Sequence, residues 1–311
     1  MKYITVSLNP NNQHRGVGHQ FTCFLVSYIL SNKYNLKLIW QPFQGEKDGT
    51  WAPKKSNAFQ IDQPVKLWNR FLNLDQNELT LFDIGNIKQI KTPYIEPKDC
   101  KWDHPLFKEL FEKDYNEDVL FVIPDEKDGI FINIDWGIFN DNSLRNKYHL
   151  AKLKQPQPLN YLNKEAINIA LHRRAGDVSA KTPFKRWIEL DYYINVINNI
   201  NKIEFKKPHI IHFYSYDIEE SELNRLKGIQ NIQYHVNENT FDTFHNMVNC
   251  DVIINGQSTF SVMACWLSYA IKICTPFGVH WNNFINQNDI IVIDSNGVFD
   301  STKLLKVLEN K

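Results

Sequence analysis

The chain has 311 residues, 43% hydrophobic and 23% charged, with 35 lysines and arginines balanced by 35 aspartates and glutamates. That length suffices for one large domain or two of ordinary size, and the zero net charge excludes the basic surplus of a nucleic-acid-binding protein, so any basic site must be local. No run approaches the ~18 uninterrupted apolar residues of a membrane span, and the opening MKYITVSLNP is too short and polar for a signal peptide.

In chain order, KYITVSL (2–8) predicts a strand, NPNNQHRGVGHQ (9–20) a polar loop, FTCFLVSYILSNKY (21–34) a helix and LKLIW (36–40) a second strand. Residues 41–135 are broken by Pro, Asp and Trp and predict short helices, at least two strands and long loops. SLRNKYHLAKL (143–153) predicts a helix, and KQPQPLN (154–160) a linker, because each proline disfavours helix in the residue before it. From 166 the rhythm is regular. INIALH is a strand, WIELDYYINVINNI (187–200) a helix, HIIHFYS (209–215) a strand, and IEESELNRLKG (218–228) a helix ended by Gly228. IQYHV (232–236) is followed by the helix TFDTFHNMVNC (240–250), and DVIIN (251–255) by the helix STFSVMACWLSYA (258–270). IKICTP (271–276), DIIVI (289–293) and a final amphipathic helix (301–310) close the chain.

Strands alternating with helices at this spacing predict an α/β protein with a doubly wound parallel sheet. We expect two α/β halves with a cleft between them, one over residues 1–160 and one over 161–311. The last helix is able to pack back on the first half. Five cysteines (Cys23, Cys100, Cys250, Cys265 and Cys274) are odd in number and lack CxxC spacing, which argues against a zinc site or a disulfide framework. Cys23, Cys265 and Cys274 lie in apolar runs and read as core. None of the 35 asparagines stands in an N-x-S/T acceptor, so the expected setting is reduced and cytoplasmic.

Ligands of a doubly wound sheet bind outside the carboxyl ends of its strands, and three loops at such ends carry unusual residues. In INIALHRRAGDVSAK (167–181) an apolar strand runs into His172, Arg173, Arg174, Gly176 and Asp177. A guanidinium just past the strand can grip a diphosphate bidentately, as a lysine cannot. Gly176 allows a ligand close approach. The alternative is an internal ion pair between Arg173 or Arg174 and Asp177. In NGQSTFSVMACWL, Ser258 or Thr259 stands where a helix begins, a natural phosphate seat, or else an ordinary N-cap. In HRGVGHQF, Gly16 and Gly18 precede a helix like a phosphate-binding turn, without the full GxGxxG.

Together these loops resemble a known family. His172-x-Arg174-x-Gly176-Asp177 is similar to the HxRxGD motif of the fucosyltransferase superfamily, and the α1,2-fucosyltransferases (glycosyltransferase family 11) look closest. Their GGLGNQ turn is similar to Gly16-Val17-Gly18-His19-Gln20, their LP-x-x-YY helix to IELDYY (188–193), their FSDD strand end to FYSYD (213–217), and their SNSSFSWWGAWL element to GQSTFSVMACWL (256–267). The resemblance implies a GT-B fold, two Rossmann-like domains facing a cleft, with GDP-fucose held mainly by the C-terminal one and a glycan acceptor as partner. It implies inverting fucosyl transfer without a metal or other cofactor. By carry-over, Arg174 and His172 meet the diphosphate, Ser258, Thr259 and Phe260 line the nucleotide pocket, and Asp217 lies near its rim.

The chain departs from the family pattern in places. Ala175 replaces the second arginine of HxRRGD, with Arg173 the candidate to compensate. His19 stands for Asn, and Val262 and Met263 replace a tryptophan pair. Asp177, His14 and His19 are the candidates for the base that takes the acceptor proton. A catalytically inactive nucleotide-sugar binder, or a transferase with another donor sugar, are the alternative readings. Among Trp40, Trp51, Trp68, Trp102 and Trp136, one or two are expected at the acceptor cleft and the rest in core packing.

Overall fold

The computed structural model describes residues 1–7, 16–43, 65–75, 78–93, 104–124, 142–175, 187–274 and 290–310. They fall into two compact units, one reaching Ala151 and the other beginning at Lys152. No helix among the described residues is long and apolar enough to cross a membrane.

The first unit contains β1 (Lys2–Val6), α1 (Val17–Tyr34), β2 (Lys37–Leu38), α2 (Val65–Leu72), α3 (Leu81–Ile84), β3 (Lys88–Lys91), α4 (Pro105–Glu112) and β4 (Val119–Ile123), and most of α5 (Ser143–Lys154). Its sheet is parallel throughout, in the order β2-β1-β4-β3. Strand alternation puts Val119, Phe121 and Ile123 with Ile4 on one face, against Val26 and Leu30 of α1 and Phe107 and Phe111 of α4. Helix α1 is buried on nearly every side, as expected of a helix apolar all round. It ends at Asn35, which takes a left-handed conformation (φ 51°) and donates its N–H to Ser31.

The second unit contains β5 (Ile167–Arg173), α6 (Leu190–Asn201), β6 (His209–Ser215), α7 (Glu220–Leu226), β7 (Ile232–Val236), α8 (Thr240–Val248), β8 (Val252–Asn255), α9 (Thr259–Leu267), β9 (Ile271–Cys274), β10 (Ile290–Val292) and α10 (Ser301–Glu309). Its six strands are all parallel, in the order β7-β6-β5-β8-β9-β10. Counting from β5, this is the 3-2-1-4-5-6 order of a Rossmann sheet, and the winding direction reverses between β5 and β8. A crevice at the carboxyl ends of those two strands is where such a sheet takes a ligand.

The two faces of this sheet differ. Ile169 and Leu171 of β5, Ile211 and Phe213 of β6, Ile254 of β8 and Ile273 of β9 share one face with Tyr193, Val196 and Ile197 of α6, Leu226 of α7 and Leu304 of α10. This is the main core. The opposite face carries Asn168, His172, His212, Tyr214, His235, Asn255 and Lys272 at the alternate positions, all buried except the half-buried His172. Such a polar inner face is unusual in a parallel sheet, whose strands ordinarily read as unbroken apolar runs.

Candidate functional site

Arg173 and Arg174 are neighbours in sequence with different fates. Arg173 ends β5 on the Ile169–Leu171 face, with no exposed side-chain surface. Its two terminal nitrogens donate to the two carboxylate oxygens of Glu222 on α7, at 3.0 and 2.6 Å. Its guanidinium also lies 4.8 Å from the ring centre of Trp187. The sequence left open whether Arg173 compensates for Ala175, and here its guanidinium is committed to Glu222. Its charge is neutralised inside the unit, and Ala175 is itself buried. The internal ion pair foreseen for this loop exists at Arg173, but its partner is Glu222. Arg174 is half-buried, immediately beyond the strand.

His172 lies on the other face of β5. Its ring is 5.7 Å from that of Phe260, which in turn meets Phe244 of α8 edge-on at 5.4 Å. Beneath this contact the β8–α9 turn presses on the end of β5. A Cβ at Gly256 would stand 2.3 Å from the His172 carbonyl oxygen and 3.1 Å from its Nδ1, so no larger residue fits. Ser258 is the N-cap of α9 and its Oγ accepts from the Phe260 N–H at 3.3 Å. The turn is drawn tight by the Ser258 N–H donating to the Gly256 carbonyl at 2.8 Å, and by Ser261 Oγ donating to Gly256 and Ser258 carbonyls at 3.1 and 2.9 Å. Thr259 and Phe260 form the half-buried first turn of α9, whose positive dipole end favours an anion. The structure thus brings His172, Gly256, Ser258 and Phe260 together where the strand order reverses.

Asp217 lies one strand away, exposed after β6 in a left-handed conformation (φ 50°). Its N–H donates to Asn237 Oδ1 at 2.8 Å, which ties this loop to the one after β7. In the first unit the loop expected to reach residue 20 ends at Gly16. There the backbone is extended (φ −61°, ψ 165°) and α1 begins at Val17. Gly18 and His19 therefore belong to the first helical turn. Burial of that turn overrides the poor helix propensity of glycine, and Thr22 Oγ1 donates to the Gly18 carbonyl at 2.8 Å. His19 Nε2 approaches Cys23 Sγ at 3.6 Å. His14, Gly176 and Asp177 lie outside the described residues, as do Trp51, Trp102 and Trp136. Trp40 and Trp68 are core residues, packed against Phe24 at 4.8 Å and Phe71 at 5.3 Å respectively.

A row of polar residues below the crevice was not foreseen. Tyr214 pairs with His172 on one side and His235 on the other, and Asn255 pairs with Cys274. One step past the Leu171–Ile254 pair, Asn255 falls beside His172. His212 lies one pleat lower and joins the row to Asn168. Asn168 Nδ2 donates to the carbonyls of Asn163 and Ala166, so its Oδ1 is the acceptor for His212 Nε2 at 3.1 Å. His212 Nδ1 must then accept from His235 Nε2–H, also at 3.1 Å. Both histidines are held neutral, with pKa values pulled down to about 4 by burial and, for His212, also by His235. The signal in the sequence was His212 inside HIIHFYS and His235 inside IQYHV, where an apolar residue belongs.

No family model matches the chain, and no curated protein matches it. Among solved structures, fucosyltransferase NodZ from Bradyrhizobium is similar to it at 11% identity and a TM-score of 0.47, covering 96% of each chain. A mutant of Arabidopsis thaliana FUT1 in complex with GDP is 13% identical with a TM-score of 0.47, over 88% of this chain and 70% of that one. POFUT1 in complex with GDP is 10% identical with a TM-score of 0.40, over 89% and 99%.

Proposed function

We propose that the protein is an inverting glycosyltransferase of GT-B architecture that moves fucose from GDP-fucose to a glycan hydroxyl, in the manner of the α1,2-fucosyltransferases. The observation that carries this reading is the meeting of two motif segments, His172–Arg174 and Gly256–Phe260, at the reversal point of a 3-2-1-4-5-6 sheet. Three further segments, at 16–20, 188–193 and 213–217, resemble the same family in the same order along the chain. The 161–311 half holds the donor and the 1–160 half receives the acceptor.

In the reaction the acceptor oxygen attacks the anomeric carbon from the face opposite the diphosphate. The bond from that carbon to the diphosphate oxygen breaks, its electron pair leaves with GDP, and the hydroxyl proton passes to a base. Asp177 is the first choice as base, with His14 and His19 behind it. Negative charge grows on the leaving diphosphate, so a preorganised cation beside it stabilises the transition state more than the ground state. Arg174 takes that role, with His172 and the N-terminal end of α9 beside it. Ser258, Thr259 and Phe260 line the nucleotide pocket, Asp217 stands at its rim, and Gly176 lets the diphosphate come close. With the charge supplied in this way, no metal is required.

The test is Arg174→Ala. Turnover of GDP-fucose should fall by roughly 10² to 10³, the cost of removing one such donor, while the fold persists. Near-normal turnover rejects the assignment. Thermal protection by UDP but not GDP rejects the donor.

A second reading has its own support. Ala175 is buried where the family has an arginine, and Arg173 is neutralised by Glu222, so the diphosphate meets less positive charge than the family pattern provides. On this reading the chain binds the nucleotide sugar without transferring it. GDP binding by calorimetry, with no GDP release from GDP-fucose across a broad acceptor panel, selects it.

A further inference from the structure

We propose that Arg173 is a positioning residue: it fixes the direction in which Arg174 leaves the sheet by tying both ends of the β5–α6 connection to α7. The proposal rests on the reading of residues 172–177 as the donor loop. One residue joins three separate pieces of chain. It is the last residue of β5, its fork is held by both oxygens of Glu222 in the first turn of α7, and its Cζ lies 4.8 Å from the centre of the Trp187 ring. Trp187 is the first described residue after the 176–186 stretch. It is pinned a second time by its Nε1–H, which donates to Glu189 at 2.9 Å. The next residue, Ile188, is buried in the main core. Both stems of the connection are therefore set from one point, the first by covalent continuity and the second by the cation–π contact with Trp187.

Stability alone is a poor reason for this arrangement. Desolvating a charge pair costs about as much as the pair returns, and apolar residues of similar size often serve as well or better. Among the described residues Arg173 Nε also finds no hydrogen-bond partner, a further cost of the burial. What the guanidinium supplies and an apolar side chain does not is direction. It has a planar fork that matches a carboxylate and a face that matches an indole, whereas a lysine offers only a point charge. Strand alternation does the rest. With Arg173 held on the α7 side, the chain leaves β5 in a fixed orientation, and Arg174 follows from it.

The experiment compares wild type with Arg173→Lys and with the double variant Arg173→Met/Glu222→Met. It reads thermal midpoint, GDP affinity by calorimetry, and hydrogen exchange of ligand-free peptides spanning 174–189. The double variant removes both charges and should keep the midpoint near wild type. Exchange over 174–189 should nonetheless quicken while β6 and β8 peptides stay unchanged, and GDP affinity should fall about tenfold or more, within the range that a misplacement of about 1 Å can cost. Arg173→Lys should weaken GDP binding with the fold kept. Unchanged exchange over 174–189 in the double variant overturns the proposal. So does quickened exchange with wild-type GDP affinity, which would make Arg173 a stability element only. If wild type itself fails to bind GDP, the donor reading falls, and the exchange data alone still decide whether Arg173 fixes the stems.

Discussion

Gly256→Ala is a direct test of the crevice. The new Cβ would lie 2.3 Å from the His172 carbonyl oxygen, and real Cβ atoms essentially never come closer than 3.0 Å to such an atom, so the turn and the strand end must part by about 0.7 Å. Neither side yields freely. β5 and β8 are paired up to Leu171 and Ile254, immediately before the contact, and the turn is closed by the Ser258 and Ser261 hydrogen bonds. Overpacking of this kind costs about 1–3 kcal/mol, offset by up to about 1 kcal/mol from the stiffer unfolded chain. At roughly 2–4 °C per kcal/mol for a unit of this size, the melting midpoint should drop by several degrees. Gly228→Ala is the control. That glycine has φ +95° and nothing within 4 Å of its would-be Cβ, so its substitution carries backbone strain without the clash. The assay is thermal unfolding of both variants, with GDP titrated into each. Gly256→Ala should lose stability and GDP protection together, and Gly228→Ala only stability. A Gly256→Ala protein with wild-type unfolding and wild-type GDP protection would refute both the close contact of the two loops and the proposed binding of GDP beside it.

Three other outcomes are expected. His212 and His235 have folded pKa values near 4 against the ordinary 6.5, so the folded state binds fewer protons than the unfolded one. Their contribution is complete above pH 6.5 and is lost as pH falls toward 4, by at most about 3 kcal/mol for one histidine; urea midpoints from pH 7.5 to 4 should show the loss, and His235→Gln should flatten it. Leu171→Ala, at a fully buried core position, should cost about 2–5 kcal/mol, read as a lower urea midpoint with little change in slope. EDTA at millimolar excess should leave GDP release from GDP-fucose unchanged, and rescue of a chelated sample by a divalent cation would overturn the metal-free mechanism.

The elements legible in the sequence are those whose pattern is set by burial on one axis. From 166 onward each strand and helix stands within a few residues of its expected place, because Ile169, Leu171, Ile211, Phe213 and Ile254 repeat with the period of a strand and turn signals separate them. The start of α1 was misplaced for a local reason. Gly16 and Gly18 carry loop propensity, and the burial that draws Val17 to Gln20 into the helix comes from residues distant in sequence. Residues 41–135 gave only a rough account. Thr80 and Asp83 cap a four-residue helix whose Phe82 is almost wholly exposed, and apolar periodicity gives no sign of such a turn.

The division of labour between the two arginines was beyond any reading of composition or spacing. A pair of adjacent guanidiniums at a strand end looks like doubled charge for an anion. Strand geometry makes that impossible for consecutive residues still within the ladder, since neighbours in a strand point to opposite faces. Whichever residue closes β5 on the Ile169–Leu171 face must be neutralised there, and it needs an acid from another element. Glu222, 49 residues later, can be found only once β6 and α7 have been stacked beside β5. The register that puts Leu171 in the core therefore commits Arg173 to Glu222, and Arg174 stands half-buried just beyond the strand. The face that each arginine takes is thus fixed by the register of β5 against β6 and β8, and only a one-residue slip in that register would exchange them.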